Sequence, residues 1–414
     1  MATSAGFTPT WAKTYFCPNT TKNAIYVITV GAGLTGLAIA LGLKKRGISY
    51  VILERQLERD RSWGVTISWS RPNLEKLLPS DILARLHECT PDPSWFLKED
   101  KGSEEAIVLS DGHNKETLVN ILLPGVFRLN IKKTKRLWSQ YVNIKEGKQV
   151  SSVEMTPDDP VVVCDNGSRE HGSVIIGADG SGSQIRRWLL GELAEPEILP
   201  YTMLNLTIQY SAEHAAALDR MVHPVIDVGI HPKGMYMGFF LLDKPDLRKP
   251  ETWSYYILSS WPETFRVDGE KDLNRFQSLQ ARMDDWAEPF ASGVAWAPKD
   301  LEVKEDVMKI WLPIPWNNYG GSITLAGDAA HSMTWHRGQG VNIAFADAFQ
   351  FVKAIETVVR GEAPLQAAIE AYEKDVIARG VKEVAISKAQ MESAHNHSNY
   401  KNSYVARHGV DPVA

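Results

Sequence analysis

The sequence predicts an α/β protein: a Rossmann-like βαβ dinucleotide-binding domain, interrupted by an inserted, mostly antiparallel β-sheet domain and followed by C-terminal helices. Three observations carry this. Ala24–Arg55 reads as strand, glycine turn, helix, strand, acid. From about Gly191 to residue 305, aromatic-rich strand-like runs follow one another without helices between them. Ser322–Ala326 is again a short buried strand running into a Gly-Asp turn, so the first domain resumes. The boundaries read as 1–23 for an N-terminal extension, 24–190 and 306–362 for the first domain, 191–305 for the second, and 363–414 for a C-terminal helix and tail.

The bulk numbers set limits. At 414 residues, 44% hydrophobic and 23% charged, the chain has the composition of an ordinary soluble globular protein large enough for two domains. A net charge of −5 gives no reason to expect a nucleic-acid partner. Cys17, Cys89 and Cys164 lie far apart without metal-ligand spacing, so free thiols in a reducing compartment are expected and no metal is. Residues 1–23 hold Trp11 and Phe16 but no basic-then-apolar signal pattern, and no run approaches the ~18–20 apolar residues of a membrane span. A cytoplasmic protein without a transmembrane segment is the expectation.

Along the chain, Ala24–Val30 is an apolar, β-branched strand. Gly31-Ala-Gly33-Leu-Thr-Gly36 follows, where Gly31 makes the tight turn, Gly33 admits a pyrophosphate and Gly36 lets the helix lie close on the sheet. The helix Leu34–Arg46 offers free N–H groups at its start and stops at Gly47. Ser49–Leu53 is the second strand, and Glu54 stands near the expected spacing of about 20 residues to accept from ribose hydroxyls. NAD(P) and FAD both fit this pattern. Gln56–Arg61 is charged and reads as mobile, Arg71-Pro72 opens a helix to Leu78, and 90–120 read as loops with short strands. Val126–Ile131 is strand-like and leads into a basic helix from Lys132 to about Tyr141; its Arg128 is either a surface charge or an arginine carried to the cofactor. Val150–Met155 and Val161–Cys164 form a hairpin pair, and Ser173–Gly180 is a buried strand running into Gly-Ala-Asp179-Gly180, with Ser183, Arg186 and Arg187 close behind.

The middle runs are Met203–Tyr210, Val225–Ile230, Met235–Leu242 and Trp253–Ser260, with Asp272–Phe290 a helix. Some of their aromatics, Tyr236 and Phe239 among them, are expected to line a cavity between the domains. After the return strand come Gly327-Asp328-Ala-Ala-His331 and Arg337-Gly338-Gln-Gly340-Val341-Asn342, then helices from about Val341 to Val359 and Leu365 to Ser393. Asp328 has no nearby cation in sequence, and its carboxylate suits ligand hydroxyls.

Taken together, the three turns resemble the group A flavoprotein monooxygenases, the para-hydroxybenzoate hydroxylase-like enzymes, and most nearly their fungal, salicylate-hydroxylase-like natural-product branch. The resemblance implies a glutathione-reductase-type FAD domain with an inserted substrate domain. It implies FAD in the main site, with Gly31, Gly33, Leu34, Thr35 and Gly36 at the pyrophosphate, Glu54 and Arg55 at the adenosine ribose, and Gly64 and Val65 near the flavin. Arg128 would sit beside the cofactor, Asp179 and Gly180 in a segment touching both FAD and the nicotinamide, and Asp328 at the ribityl chain or pyrophosphate. Gly338, Gly340, Val341 and Asn342 would approach the isoalloxazine at a helix N-terminus. One departure stands out: where the family carries a proline after the third turn, this sequence has Trp335, followed by His336.

The implied activity is a monooxygenase in which NAD(P)H reduces FAD, O2 adds as a flavin hydroperoxide, and one oxygen hydroxylates or epoxidises an electron-rich substrate. The aromatic, weakly charged middle region favours an apolar aromatic or polycyclic natural product, with Tyr236, Phe239, Trp335 and His336 lining its pocket. His336 and Tyr236 are the candidate bases. Two other FAD reactions compete: a non-redox cyclase, suggested by Trp335, and a halogenase, weakly suggested by Trp311-Leu-Pro-Ile-Pro-Trp316.

Overall fold

Five parallel strands form the sheet that carries the three turns. In order across the sheet they are Ile323–Leu325, Val174–Gly177, Tyr26–Val30, Ser49–Glu54 and Ile144–Glu146. Their near-continuous apolar sequences suit burial on both faces: Val27, Ile28, Val51, Ile52, Val174, Ile175, Ile176, Ile323 and Leu325 are all fully buried. The computed structural model describes residues 25–410, apart from 59–61, 157–158, 300, 302 and 304–305. The 1–23 extension and the end of Gln56–Arg61 therefore lie outside the described residues. No helix among the described residues is long and apolar enough to cross a membrane.

A second sheet has seven strands, in the order Asp306–Ile310, Glu197–Gln209, Ser254–Pro262, Met235–Asp243, Ile226–His231, Ala106–Asp111 and Thr117–Leu122. All its pairs are antiparallel except Ile226–His231 with Ala106–Asp111. Two of its strands thus come from 106–122, a stretch that reads from sequence as loops with short strands in the first domain, and a third, Asp306–Ile310, also falls within the first domain's expected range. The expected helix Asp272–Phe290 is instead two short helices, Arg275–Gln280 and Phe290–Ala295. Asp285 between them takes a left-handed φ of 70°, and Pro289 lacks the N–H that helix continuation needs.

Alternation along Met235–Asp243 sorts its side chains onto two cores. Met235, Met237, Phe239 and Leu241 face one cluster with Tyr255 and Phe290, while Tyr236, Phe240 and Leu242 face another with Tyr256 and Tyr400. The two regions are joined by the long helix Leu365–Ala394. On it, Tyr372 Oη donates to Leu325 O (2.8 Å), Arg379 pairs with Asp347 (2.7 Å) and Glu383 pairs with Arg337 (2.5 Å) in the first region, while Lys388 pairs with Glu197 (2.6 Å) and Val384 and Met391 pack with Met203 and Ile310 of the second sheet.

Candidate active site

Because the strands are parallel and in close register, their C-terminal ends open at one edge. Val30 lies opposite both Leu53 and Gly177, and Gly177 lies opposite Leu325. The residues that follow, Gly31–Gly36, Glu54, Ala178–Gly180 and Gly327–Asp328, therefore emerge side by side at the sheet's carboxyl edge. They touch. Gly31 adopts φ 102°, and a Cβ there would lie 2.6 Å from Ala178 O. A Cβ on Gly36 would lie 2.0 Å from Gly31 O, and one on Gly327 would lie 2.7 Å from Thr35 Oγ1. The approach is close enough that only glycine fits.

Two side chains lock this edge. Glu54, buried, accepts from the Ala32 N–H (2.6 Å), tying the second strand to the glycine turn. Arg186, also buried, donates to the carbonyls of Asp328 (3.3 Å), Ala329 (3.0 Å), Ser181 (2.6 Å) and Ala194 (3.1 Å), and its guanidinium lies 4.7 Å from the Trp311 ring. It joins the second turn to the third. Trp311 donates to Leu193 O (3.0 Å), so the tryptophan segment that suggested a halogenase is engaged in packing. Behind the third turn, Asp347 accepts from the Gly327 N–H (2.8 Å) and pairs with His331 (2.5 Å) and Arg379. Burial works to raise the Asp347 pKa, but these two partners prevail and hold it below the usual carboxylate value.

Several polar groups at this edge are left for something else. Asp179 caps the Gln184 N–H through Oδ2 (2.6 Å), while its Oδ1 is buried without a partner and burial raises its pKa. Asp328 is reached by solvent yet walled by protein, which pushes its carboxyl upward against the pull of His331 and Arg186. Arg128 lies opposite Thr66 in the Gly64–Ile67 pair, donates to Thr66 Oγ1 (3.2 Å) and stacks on Phe240 at 4.3 Å. Its Nε and Nη2 are buried and unpartnered, and burial pulls its pKa down to about 10. The helices Leu34–Lys45 and Gly340–Val359 both start without a side-chain cap. Bare helix starts, an arginine short of acceptors and carboxylates short of donors match the phosphates and hydroxyls of a dinucleotide such as FAD. Arg55, by contrast, is exposed beyond the strand end.

The start of Gly340–Val359 is fixed to the Gly64–Ile67 strand by Asn342, whose Nδ2 donates to Thr66 O (3.0 Å) and whose Oδ1 accepts from Ser68 N (3.0 Å) and Ser70 Oγ (2.7 Å). Gly64, Val65, Arg128, Gly338, Gly340, Val341 and Asn342 are thereby brought into one region. Trp335 and His336 precede it, stacked on each other at 4.0 Å and 13°, with Tyr236 at 5.3 Å from Trp335 and 4.8 Å from His336. Phe239 is not with them. It is fully buried on the opposite face of its strand, so the sheet's alternation makes it core and puts Phe240 toward Arg128 instead. Burial raises the Tyr236 phenol far above its ordinary value, which keeps it protonated and suits it to donate rather than act as a base. Sequence reasoning missed Ser260 and His395, which reach His336 from distant strands and helices: Ser260 Oγ is 3.0 Å from His336 Nε2 and 2.9 Å from His395 Nε2. Neither sits in a motif.

A family model described as "FAD binding domain" matches residues 316–386. The chain is similar to the FAD-dependent monooxygenase dbaB of Emericella nidulans, 32% identical over 346 residues, covering 79% of this chain and 86% of that protein. It is 28% identical to the FAD-dependent monooxygenase phnB of Penicillium herquei over 407 residues, 95% of this chain and 97% of the relative. Its fold is shared with Pseudomonas aeruginosa PqsL, crystallised with 2-aminobenzoylacetate, at a TM-score of 0.72, 18% identity and coverage of 92% and 99%. Klebsiella pneumoniae HpxO, crystallised with FAD and uric acid, shares it at 0.69, with 19% identity and coverage of 91% and 90%. With three interlocked turns at one sheet edge, polar groups suited to a flavin dinucleotide and a relative of this identity along most of its length, the chain belongs to the FAD-dependent monooxygenases.

Proposed function

We propose that this monooxygenase acts on an electron-rich, largely apolar aromatic or polycyclic phenol. The observation that carries the reading is the ring cluster of Trp335, His336 and Tyr236 beside the start of the Gly340–Val359 helix. These rings offer flat apolar surface together with a few polar atoms, the composition of a pocket for an aromatic hydroxyl compound. The inserted sheet is read as the substrate domain, with 24–190 and 306–362 supplying the FAD domain apart from the strands at 106–122 and Asp306–Ile310.

For the cofactor, Gly31, Gly33, Leu34, Thr35 and Gly36 would hold the pyrophosphate on the helix start, and Glu54 with Arg55 the adenosine ribose. Asp179, Gly180, Asp328 and Arg128 would take the ribityl and phosphate oxygens and hydroxyls. Gly64, Val65, Gly338, Gly340, Val341 and Asn342 would shape the ring's surroundings. When bound, FAD carries electrons from NAD(P)H to O2 and activates the oxygen. The protein's part is to orient the substrate ring, keep water out with Trp335 and Phe240, and draw the phenol's proton toward His336, since a phenolate ring is the better nucleophile.

Purified protein should be yellow, and Asp328→Ala should retain FAD roughly 10- to 100-fold more weakly, the size of losing a hydrogen-bonded charge in a shielded site. Flavin absorbance after gel filtration reads this directly. Equal retention by the variant would remove Asp328 from the site. A phenolic substrate should accelerate NADPH oxidation, whereas conversion without NADPH or O2 would favour the cyclase reading.

A further inference from the structure

Tyr236, Phe240, Tyr256, His336 and Tyr400 are all buried, so a polycyclic phenol reaches them only when a wall moves. Most of the walls are fixed. The strands Met235–Asp243 and Ser254–Pro262 are each hydrogen-bonded to a neighbouring strand on both sides. The loop with Trp335 and His336 is held by Thr334 Oγ1, which donates to Ser387 O (2.7 Å), and by Arg337, which pairs with Glu383 (2.5 Å). The remaining wall is the segment after the long helix: the turn His397–Asn402, the short helix Tyr404–His408, and on to Val410. Its side chains divide between water and the chamber. Tyr400, Val405 and Val410 are buried in the same cluster as Tyr236 and Phe240, while Asn399, Lys401 and Arg407 are exposed. The segment is tied to the rest of the protein through side chains. His397 Nε2 is 2.7 Å from Asp111 Oδ2, Gln390 Nε2 donates to Tyr400 Oη (3.2 Å), Gln390 Oε1 accepts from the Val405 N–H (3.0 Å), and the Arg337 guanidinium lies 4.7 Å from the Tyr404 ring. Just before it, His395 is a fixed post: its Nδ1 donates to Met391 O (2.7 Å), its Nε2 is 2.9 Å from Ser260 Oγ, and the Tyr201 ring lies 4.7 Å away. The change of direction therefore falls on Asn396, which is exposed, at φ −126° and ψ 77°.

We propose that residues 396–410 form a door to the substrate chamber, hinged at Asn396 and pinned shut by His397 on Asp111, and that Tyr400 on its inner face is a specificity-determining residue. The proposal rests on the reading of the Trp335–His336–Tyr236 cluster as the substrate chamber. A segment tied through side chains opens before strands that are joined by backbone ladders. Swinging out at Asn396 withdraws Tyr400, Val405 and Val410 together and leaves Ser260, His336 and His395 in place. Closing shuts water out and returns Tyr400 to the cluster of Tyr236, so each phenol that enters is measured against the Tyr400 ring. Arg337 couples the door to the site, because the guanidinium that meets Tyr404 belongs to the residue after His336. Breaking the pin favours opening equally with the chamber empty or filled. It therefore speeds entry and exit alike and leaves affinity where it was.

The test uses the FAD-loaded full chain with 2-naphthol as the probe. In stopped flow, His397→Ala should speed association and dissociation alike by about threefold or more, the weight of one hydrogen bond, with the dissociation constant and flavin content at their wild-type values. Native-state hydrogen exchange should show the amides of 397–409 sharing one protection factor. His397→Ala should lower it along the whole segment while Ser254–Pro262 keeps its own. Tyr400→Leu should improve binding of the bulkier 1-pyrenol relative to 2-naphthol by about tenfold, and Tyr400→Phe, which keeps the ring, should leave that ratio as in the wild type. Unchanged rates in His397→Ala, or a loss of protection confined to the residues beside His397, overturns the door. An unchanged ratio in Tyr400→Leu removes Tyr400 from the chamber. If the protein holds FAD but binds neither phenol, the failure belongs to the proposed substrate class, and the exchange pattern alone decides the door.

Discussion

The two ends of the site are built from different materials. At the sheet's carboxyl edge, Gly31–Gly36, Ala178–Asp179 and Gly327–Asp328 meet through backbone, at distances that leave no room for a Cβ. Around Trp335 and His336 the contacts are between side chains: rings 4–5 Å apart and a hydroxyl between two imidazoles. At the first end Arg186, Glu54 and Asp347 are tied to backbone groups of the turns, and the bare Asp179 Oδ1 and helix starts are held on that rigid frame. At the second the bare atoms, Trp335 Nε1 and His336 Nδ1, sit on side chains held only by other side chains. A cofactor that stays can be met by a rigid backbone cradle, whereas a substrate that comes and goes is met by groups whose partners it supplies.

The sharpest break of this contrast is at the backbone end. Gly36→Val should cost about 3 kcal/mol or more, because its Cβ cannot avoid Gly31 O without moving helix from sheet. Urea unfolding and flavin content should fall together, and a stable, yellow variant would refute the packing role. Acid probes the other end. His395 has a folded pKa of about 4 against 6.5 when unfolded, so between these values the unfolded chain binds the extra proton. Stability from this group is full above pH 6.5 and is lost as pH falls toward 4, by up to about 3 kcal/mol. His395→Gln should flatten the dependence of the urea midpoint between pH 7.5 and 5. His336→Gln should slow substrate-dependent turnover roughly 100-fold while flavin content stays at the wild-type level. Equal loss of both would erase the distinction between the two ends. The smallest effect is expected at Phe239→Leu, about 1 kcal/mol of stability with turnover unchanged, because this ring packs in the core on the far face of its strand.

The same contrast explains what could be read from the chain alone. Strand, Gly31–Gly36, helix and Glu54 are contiguous, and each residue type there answers a local backbone need, so the first turn and its order with the other two were legible. The pairing of Ala106–Asp111 with Ile226–His231 was not, since that alliance is parallel and spans more than a hundred residues. Phe239 was misjudged because two adjacent aromatics, 239 and 240, do not announce which one faces which core. Ser260 and His395 could not be found at all. A serine in a strand and a histidine after a helix have no pattern, and only tertiary structure brings them to His336.

The helix Leu365–Ala394 gives the two ends a fixed phase. Arg379 on it grips Asp347 behind the Gly327 turn, Glu383 grips Arg337, and the helix ends at His395. Arg379 and the helix end stand about 23 Å apart along a rod that turns ~100° and rises ~1.5 Å per residue. The cradle and the imidazole at the helix end are thus set by a residue count, like marks on a ruler: one residue added between Arg379 and His395 would swing the imidazole about a quarter turn away from Ser260 and leave the cradle's own residues untouched.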